Sequence, residues 1–190
     1  MVPFKLIRPS WNDYFMVLAK VAASRSTCNS RPTGCVLVRD NQVLSTGYNG
    51  AVPGHLHCTE IGGIGYCVRR ASGIKNAQKQ DTCIASHSEI NALAMAAKSG
   101  ISVAGASLYI TLNPCFICLK AMKVAGIVDI YYELLYDLNP DAAPGAYDKW
   151  VMEELGFNSC QQHTIQAETI LLVNHMLEVP TSYRRKPATD

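Results

Sequence analysis

From Trp11 to Ala23 the apolar positions Tyr14, Phe15, Val17, Leu18, Val21 and Ala22 recur at helical spacing, with Ser10 or Asn12 as the cap. The period then changes. Cys35-Val36-Leu37-Val38 and Val43-Leu44-Ser45-Thr46 flank the polar tetrapeptide Arg39-Asp40-Asn41-Gln42, a pattern that predicts a hairpin. Residues 47–81 are rich in glycine, carry two histidines and two cysteines, and show no sustained period. So long a segment without regular structure is unusual in a compact domain and needs something to hold it.

Helical spacing resumes from Ser86 to Lys98 and ends at Ser99-Gly100. A strand is predicted over Ala106 to Thr111, a helix from Pro114 through Ala125, and a strand over Ile127 to Leu134. Tyr147 to Leu155 and Ile165 to Glu178 supply further helices. A hairpin followed by alternating helices and strands implies an α/β fold, a central mixed sheet flanked by helices. Residues 1–180 are expected to form one domain, with 181–190 as a mobile tail.

Composition narrows the function. Seventeen basic against fifteen acidic residues leave a net charge of +2, far from the basic excess of a dedicated nucleic-acid binder, so a small ligand is the better expectation. Eight cysteines in 190 residues are too sparse for a disulfide-stapled secreted domain and fit metal ligation in a reduced, cytoplasmic setting. Asn12, Asp13 and Lys20 interrupt the faintly signal-like start. Lys98 and Gly100 break the most apolar stretch, so no membrane span is expected.

The candidate chemistry lies in His87-Ser88-Glu89 and, further along, Pro114-Cys115-Phe116-Ile117-Cys118. Together they match the H-x-E and P-C-x-x-C signature of zinc deaminases. Cys115 and Cys118, three apart at the start of a helix, point from one face, where the helix dipole favours thiolate. His87 completes three protein ligands and leaves the fourth tetrahedral position open for water, as in catalytic zinc sites. Glu89 is roughly 200° around a helix from His87. At a helix N-terminus it can still reach the water without ligating the metal. The chemistry expected is hydroxide attack on C4 of a cytosine, with Glu89 moving the proton to the departing ammonia. A structural zinc site closed by some fourth ligand, or merely buried polar and sulfur groups, is the other reading of the same residues, but a closed site leaves Glu89 without a role.

With these residues in place, the sequence resembles the deoxycytidylate (dCMP) deaminase family from about Trp11 to Phe157. The resemblance runs through Arg25-Ser26-Thr27-Cys28, Gly34-Cys35-Val36-Leu37-Val38, Gly47-Tyr48-Asn49-Gly50, His57-Cys58, Cys83, His87-Ser88-Glu89 and Thr111-Leu112-Asn113-Pro114-Cys115. It implies a cytidine-deaminase-like three-layer fold, conversion of dCMP to dUMP, and a homohexamer regulated by dCTP and dTTP, with Mg2+ accompanying a nucleotide effector. It also implies that Asn49 contacts the sugar, that Tyr136 helps hold the nucleotide, and that Gly47, Tyr48, Asn49 and Gly50 form a regulatory segment. The family usually reads His-Ala-Glu where Ser88 stands here; the Ser88 backbone N–H remains available to the base. Ser30-Arg31-Pro32 replaces the usual paired basic residues, leaving Arg25 and Arg31 as phosphate candidates.

Three of Cys28, Cys58, Cys67 and Cys83 match positions where the resemblance implies a second, structural zinc, which would tie the glycine-rich segment to the first helix; His57 could replace one cysteine, and buried free thiols are the other reading. Free cytidine, dCTP, a modified cytosine nucleotide or a base within nucleic acid are the other substrates, and an inactive nucleotide- or zinc-binding regulator is the non-enzymatic reading.

Overall fold

The computed structural model describes residues 8–59, 65–74, 83–136 and 145–178. The opening helix is α1 (Trp11–Ala23), and Ser10 caps it, its Oγ accepting the Asp13 N–H at 3.1 Å. The hairpin follows as β1 (Gly34–Arg39) and β2 (Gln42–Tyr48), slightly longer than the sequence pattern indicated. Asp40 and Asn41 take φ of 53° and 57° at the turn, the left-handed geometry that matches strand twist in a two-residue hairpin.

Next come β3 (Gly50–Ala51), α2 (Val68–Ala71), β4 (Ala85–Ser86) and α3 (Ser88–Lys98). The helix expected from Ser86 begins two residues later, because Ser86 pairs with Gly50 and His87 is extended at ψ 153°. The remaining elements are β5 (Ser107–Leu112), α4 (Phe116–Val124), β6 (Asp129–Leu134), α5 (Ala146–Leu155), β7 (Ser159–Gln162) and α6 (Ala167–Glu178). Cys115 is not inside the helix expected from Pro114; it is extended and forms the N-cap of α4. Strand β7 escaped sequence reading because Ser159-Cys160-Gln161-Gln162 offers little apolar alternation. The expected tail, 181–190, lies outside the described residues.

The main sheet has the order β2-β1-β5-β6-β7: β1 is antiparallel to both neighbours, whereas β5, β6 and β7 are mutually parallel. The expected mixed sheet flanked by helices is therefore present. Alternation along β1 and β5 builds its two cores. Val36, Val38 and Tyr109 face Phe15, Met16 and Ala19 of α1. Leu37, Leu108 and Ile110 face the other way, toward Ala92 of α3, Leu119 and Met122 of α4, and Val151 of α5.

Two glycines allow the helices to lie close to the sheet. A Cβ on Gly34 would sit 2.4 Å from the Ala19 carbonyl oxygen, and one on Gly47 would sit 2.1 Å from the Ser88 carbonyl oxygen. The second contact seats the first turn of α3 on β2. One buried acid fastens the chain after β7 to α1: Asp13 accepts from Thr169 Oγ1 at 2.6 Å, His163 Nε2 at 2.7 Å and the Gln166 N–H at 3.3 Å. Burial pushes the Asp13 carboxyl up, but these hydrogen bonds outweigh it and hold the carboxyl below its ordinary value. Among the described residues no helix is long and apolar enough to cross a membrane.

Candidate active site

The site forms where two helices begin side by side. His87 is the N-cap of α3 and Cys115 the N-cap of α4, while Cys118 lies one turn inside α4 and is buried. His87 Nδ1 is 3.6 Å from Cys115 Sγ and 3.4 Å from Cys118 Sγ, and the three ligand atoms all lie within 4.8 Å of one another. Ordinary Zn–N and Zn–S bonds at a tetrahedral angle separate nitrogen from sulfur by roughly 3.5 Å. The observed spacings match, and one imidazole with two thiolates is a donor set suited to zinc. The hydrogen bond between the two sulfurs holds the Cys115 thiol down, and that bond together with burial pushes the Cys118 thiol up. The hydrogen bond with Cys115 also raises the His87 pKa.

Glu89 sits in the first turn of α3, 4% exposed. Burial pushes its carboxyl above the usual range against the opposing pull of His87. Ser88, fully buried, donates from Oγ to Glu89 Oε2 at 2.9 Å. The Ser88 hydroxyl therefore orients the carboxylate.

Above these groups opens a cavity of about 130 Å³. Glu89, His87, Ser88 and Cys115 line its floor, and Arg31, Thr33, Asn49, Asn113, Arg69 and Tyr136 its walls. Asn49 knits one wall together. Its Oδ1 accepts from Ser26 Oγ at 2.6 Å and the Thr33 N–H at 2.8 Å, while Nδ2 donates to the Arg31 carbonyl at 2.8 Å. Across the cavity Asn113 Oδ1 accepts the Tyr136 N–H, and the Arg31 guanidinium lies 3.9 Å over the Tyr136 ring.

Some sequence candidates fall elsewhere. Arg25 is exposed and does not line the cavity. Within Gly47-Tyr48-Asn49-Gly50 only Asn49 reaches it; Gly47 lies under α3, the Tyr48 side chain is exposed and Gly50 packs beside Thr27. Cys28 and Cys83 border the cavity, Cys58 is buried and Cys67 caps α2. Burial, and then the nearby Cys28, Cys67 and Cys83, push the Cys58 thiol up. The Cys28 sulfur accepts the Ser30 and Arg31 N–H groups at 3.4 and 3.5 Å. Among the described residues, however, only His87, Cys115 and Cys118 gather three such ligand atoms within 4.8 Å.

Sequence reasoning left Asn113 and Arg69 without roles. Asn113 stands directly before Pro114-Cys115, a position that could have flagged it; Arg69 lies in an aperiodic segment that offered no signal.

Comparison with known proteins agrees with this geometry. Residues 9–134 match the model of the cytidine and deoxycytidylate deaminase zinc-binding region. The deoxycytidylate deaminase of Schizosaccharomyces pombe is 40% identical over 136 residues, which cover 72% of this chain but 41% of that protein. This chain thus spans about two fifths of that relative's length. The deoxycytidylate deaminase of Mycobacterium phage D29 is 37% identical over 130 residues, covering 66% of this chain and 95% of the phage protein. Among solved structures, the dCMP deaminase of cyanophage S-TIM5 in complex with dCMP and dUMP superposes with a TM-score of 0.62 at 26% identity, covering 83% of this chain and all of that one. The chain belongs to the cytidine and deoxycytidylate deaminase zinc-binding family.

Proposed function

We propose that this chain hydrolyses dCMP to dUMP with release of ammonia. The observation that carries the reading is a buried carboxylate, Glu89, beside a His87, Cys115 and Cys118 set spaced for zinc, at the floor of a cavity with polar and cationic walls. Relatives named deoxycytidylate deaminase and the cyanophage complex with dCMP and dUMP support the choice of nucleotide.

Zinc would be held by His87 Nδ1 and the Cys115 and Cys118 sulfurs, where it would supply Lewis acidity and lower the pKa of water near neutral pH. Glu89 takes a proton from water and delivers it to N3 as the water oxygen bonds to C4 and the C4=N3 π bond opens, then carries the remaining hydroxyl proton to the exocyclic nitrogen, so that C4=O forms as the C4–N bond breaks and ammonia leaves. Its raised pKa suits a group that must both accept and return a proton. Ser88 Oγ engages one carboxylate oxygen and leaves the other for this transfer. Asn49 meets the sugar through its amide while its oxygen holds residues 26 and 33 in place, and Tyr136 with Arg31 closes over the nucleotide.

The same proposal includes a structural zinc among Cys28, Cys58, Cys67 and Cys83, supported by the influence of Cys28, Cys67 and Cys83 on the Cys58 thiol and by the backbone N–H groups aimed at the Cys28 sulfur, although no three of these sulfurs lie within 4.8 Å of one another. It includes a homohexamer in a cytoplasmic setting, consistent with eight unpaired cysteines, and control by dCTP and dTTP with Mg2+. Gly47 supports that control, because its packing against Ser88 offers a path from the regulatory segment to Glu89.

The test is ammonia release from dCMP, dCTP, deoxycytidine and cytidine by the wild type and Glu89→Ala, with metal analysis, effector titration and sedimentation on the same preparation. Preference for dCMP that disappears in the variant is expected, with about two zinc ions per chain. Wild-type rates no higher than those of the variant on every substrate would refute the enzyme reading, and about one zinc would refute the second site.

A further inference from the structure

Among the described residues, Arg31 and Arg69 are the arginines that line the cavity, and Glu89 is the carboxylate. The two arginines arrive from distant parts of the chain. Arg31 follows Cys28 in the loop before β1, and Arg69 lies in α2, just after Cys67. Arg31 is fixed at both ends, its carbonyl by Asn49 Nδ2 and its guanidinium by the Tyr136 ring. Arg69 is half-buried where it borders the cavity, whereas its neighbour Arg70 is exposed.

A nucleoside monophosphate places two unlike ends in such a cavity. The cytosine must meet His87 and Glu89, and the phosphate carries about −1.5 to −2 charges that one guanidinium does not balance. The face of Arg31 rests on Tyr136, so its edge N–H groups are what it offers a ligand. A second planar guanidinium matches the remaining charge and phosphate oxygens.

We infer that Arg69 joins Arg31 in a phosphate clamp and is the residue that makes this cavity select a deoxynucleoside monophosphate over the nucleoside. The inference rests on the dCMP reading above. It assigns a substrate contact to a segment that carries none of the signature residues, and it places that contact immediately beside Cys67. Arg69 is a specificity residue in this scheme; proton transfer stays with Glu89.

The experiment compares wild type, Arg69→Ala, Arg69→Lys and Arg70→Ala in steady-state deamination of dCMP and deoxycytidine. Calorimetric binding of dUMP and deoxyuridine to the same proteins gives a readout independent of turnover. Arg69→Ala is expected to raise the KM for dCMP and weaken dUMP binding by roughly 10- to 100-fold, the loss of hydrogen bonds to a charged group. Deoxycytidine kcat/KM and deoxyuridine binding stay as in wild type, Arg69→Lys recovers part of the loss, and Arg70→Ala changes neither substrate. Equal losses on nucleotide and nucleoside, or undiminished dUMP binding in Arg69→Ala, overturn the clamp. If the wild type turns over dCMP and Arg69→Ala discriminates as well as it does, the clamp alone falls. If the wild type leaves dCMP unchanged, the dCMP reading falls and dUMP binding decides the clamp.

Discussion

Gly47→Ala joins a single methyl group to the chemistry of the site. Gly47 is not in the left-handed region, so alanine meets no backbone penalty there. The obstacle is space: the new Cβ would lie 2.1 Å from the Ser88 carbonyl oxygen, 2.7 Å from the Ala92 nitrogen and 2.9 Å from the Ala92 Cβ. Two of the three are helix backbone atoms, so no flexible side chain can absorb the overlap. Restoring even the tight end of ordinary contact moves the start of α3 away from β2 by roughly 1 Å, at a cost of about 1–3 kcal/mol. His87 and Glu89 belong to that same turn and move with it. A misplacement of about 1 Å at reacting groups lowers kcat on the order of 100-fold. Urea denaturation of the zinc-loaded protein gives the stability change, and ammonia release at saturating dCMP gives kcat. A folded variant with wild-type midpoint and wild-type kcat refutes the claim that close packing of β2 and α3 positions the catalytic turn.

Other substitutions probe separate links. Asp13→Asn removes the charge and turns one of the two acceptor oxygens into a donor NH2, so the side chain can no longer accept from Thr169, His163 and Gln166 together, and the fold is expected to lose about 1–3 kcal/mol at pH 7. Because the folded pKa of Asp13 is depressed, its contribution is complete above the ordinary carboxylate pKa and is lost as pH falls through the depressed value. Urea midpoints across pH 3–7 should therefore show a shallower acid limb in the variant, and parallel limbs count against the clasp. Ser88→Ala deletes the hydrogen bond that lowers the Glu89 pKa, so the acid limb of kcat/KM for dCMP should move to higher pH. An unmoved limb means that the hydroxyl does not tune the proton carrier.

Much of the fold was legible because local pattern and burial coincide. Helix α1 occupies the residues its apolar spacing indicated, and the β1–β2 hairpin straddles the polar Asp40-Asn41 turn. The helix starts at the site were less legible. Ser86 and His87 are compatible with a helix, but pairing of Ser86 with Gly50 and the extended His87 delay α3 by two residues. That delay makes His87 a cap and leaves Glu89 in the first turn. The candidate metal ligands could be picked out because their spacing is local within each half-motif, and the structure brings His87, Cys115 and Cys118 within 4.8 Å. The walls could not: Asn113 acts through Tyr136, and Arg69 arrives from a segment without periodicity. Arg25, beside Ser26 in a motif of the family, is exposed away from the cavity, since sequence adjacency does not fix side-chain direction in a turn.

Zinc-dependent proton transfer by Glu89 is most directly tested by comparing wild type with Glu89→Gln, a change that keeps shape while removing the acid–base group. Both proteins are assayed for bound zinc and for conversion of dCMP to dUMP and ammonia. Equal zinc content, with turnover in the variant reduced by about 100- to 10,000-fold, is the expected result. A zinc-replete Glu89→Gln protein that deaminates dCMP at the wild-type rate would contradict it.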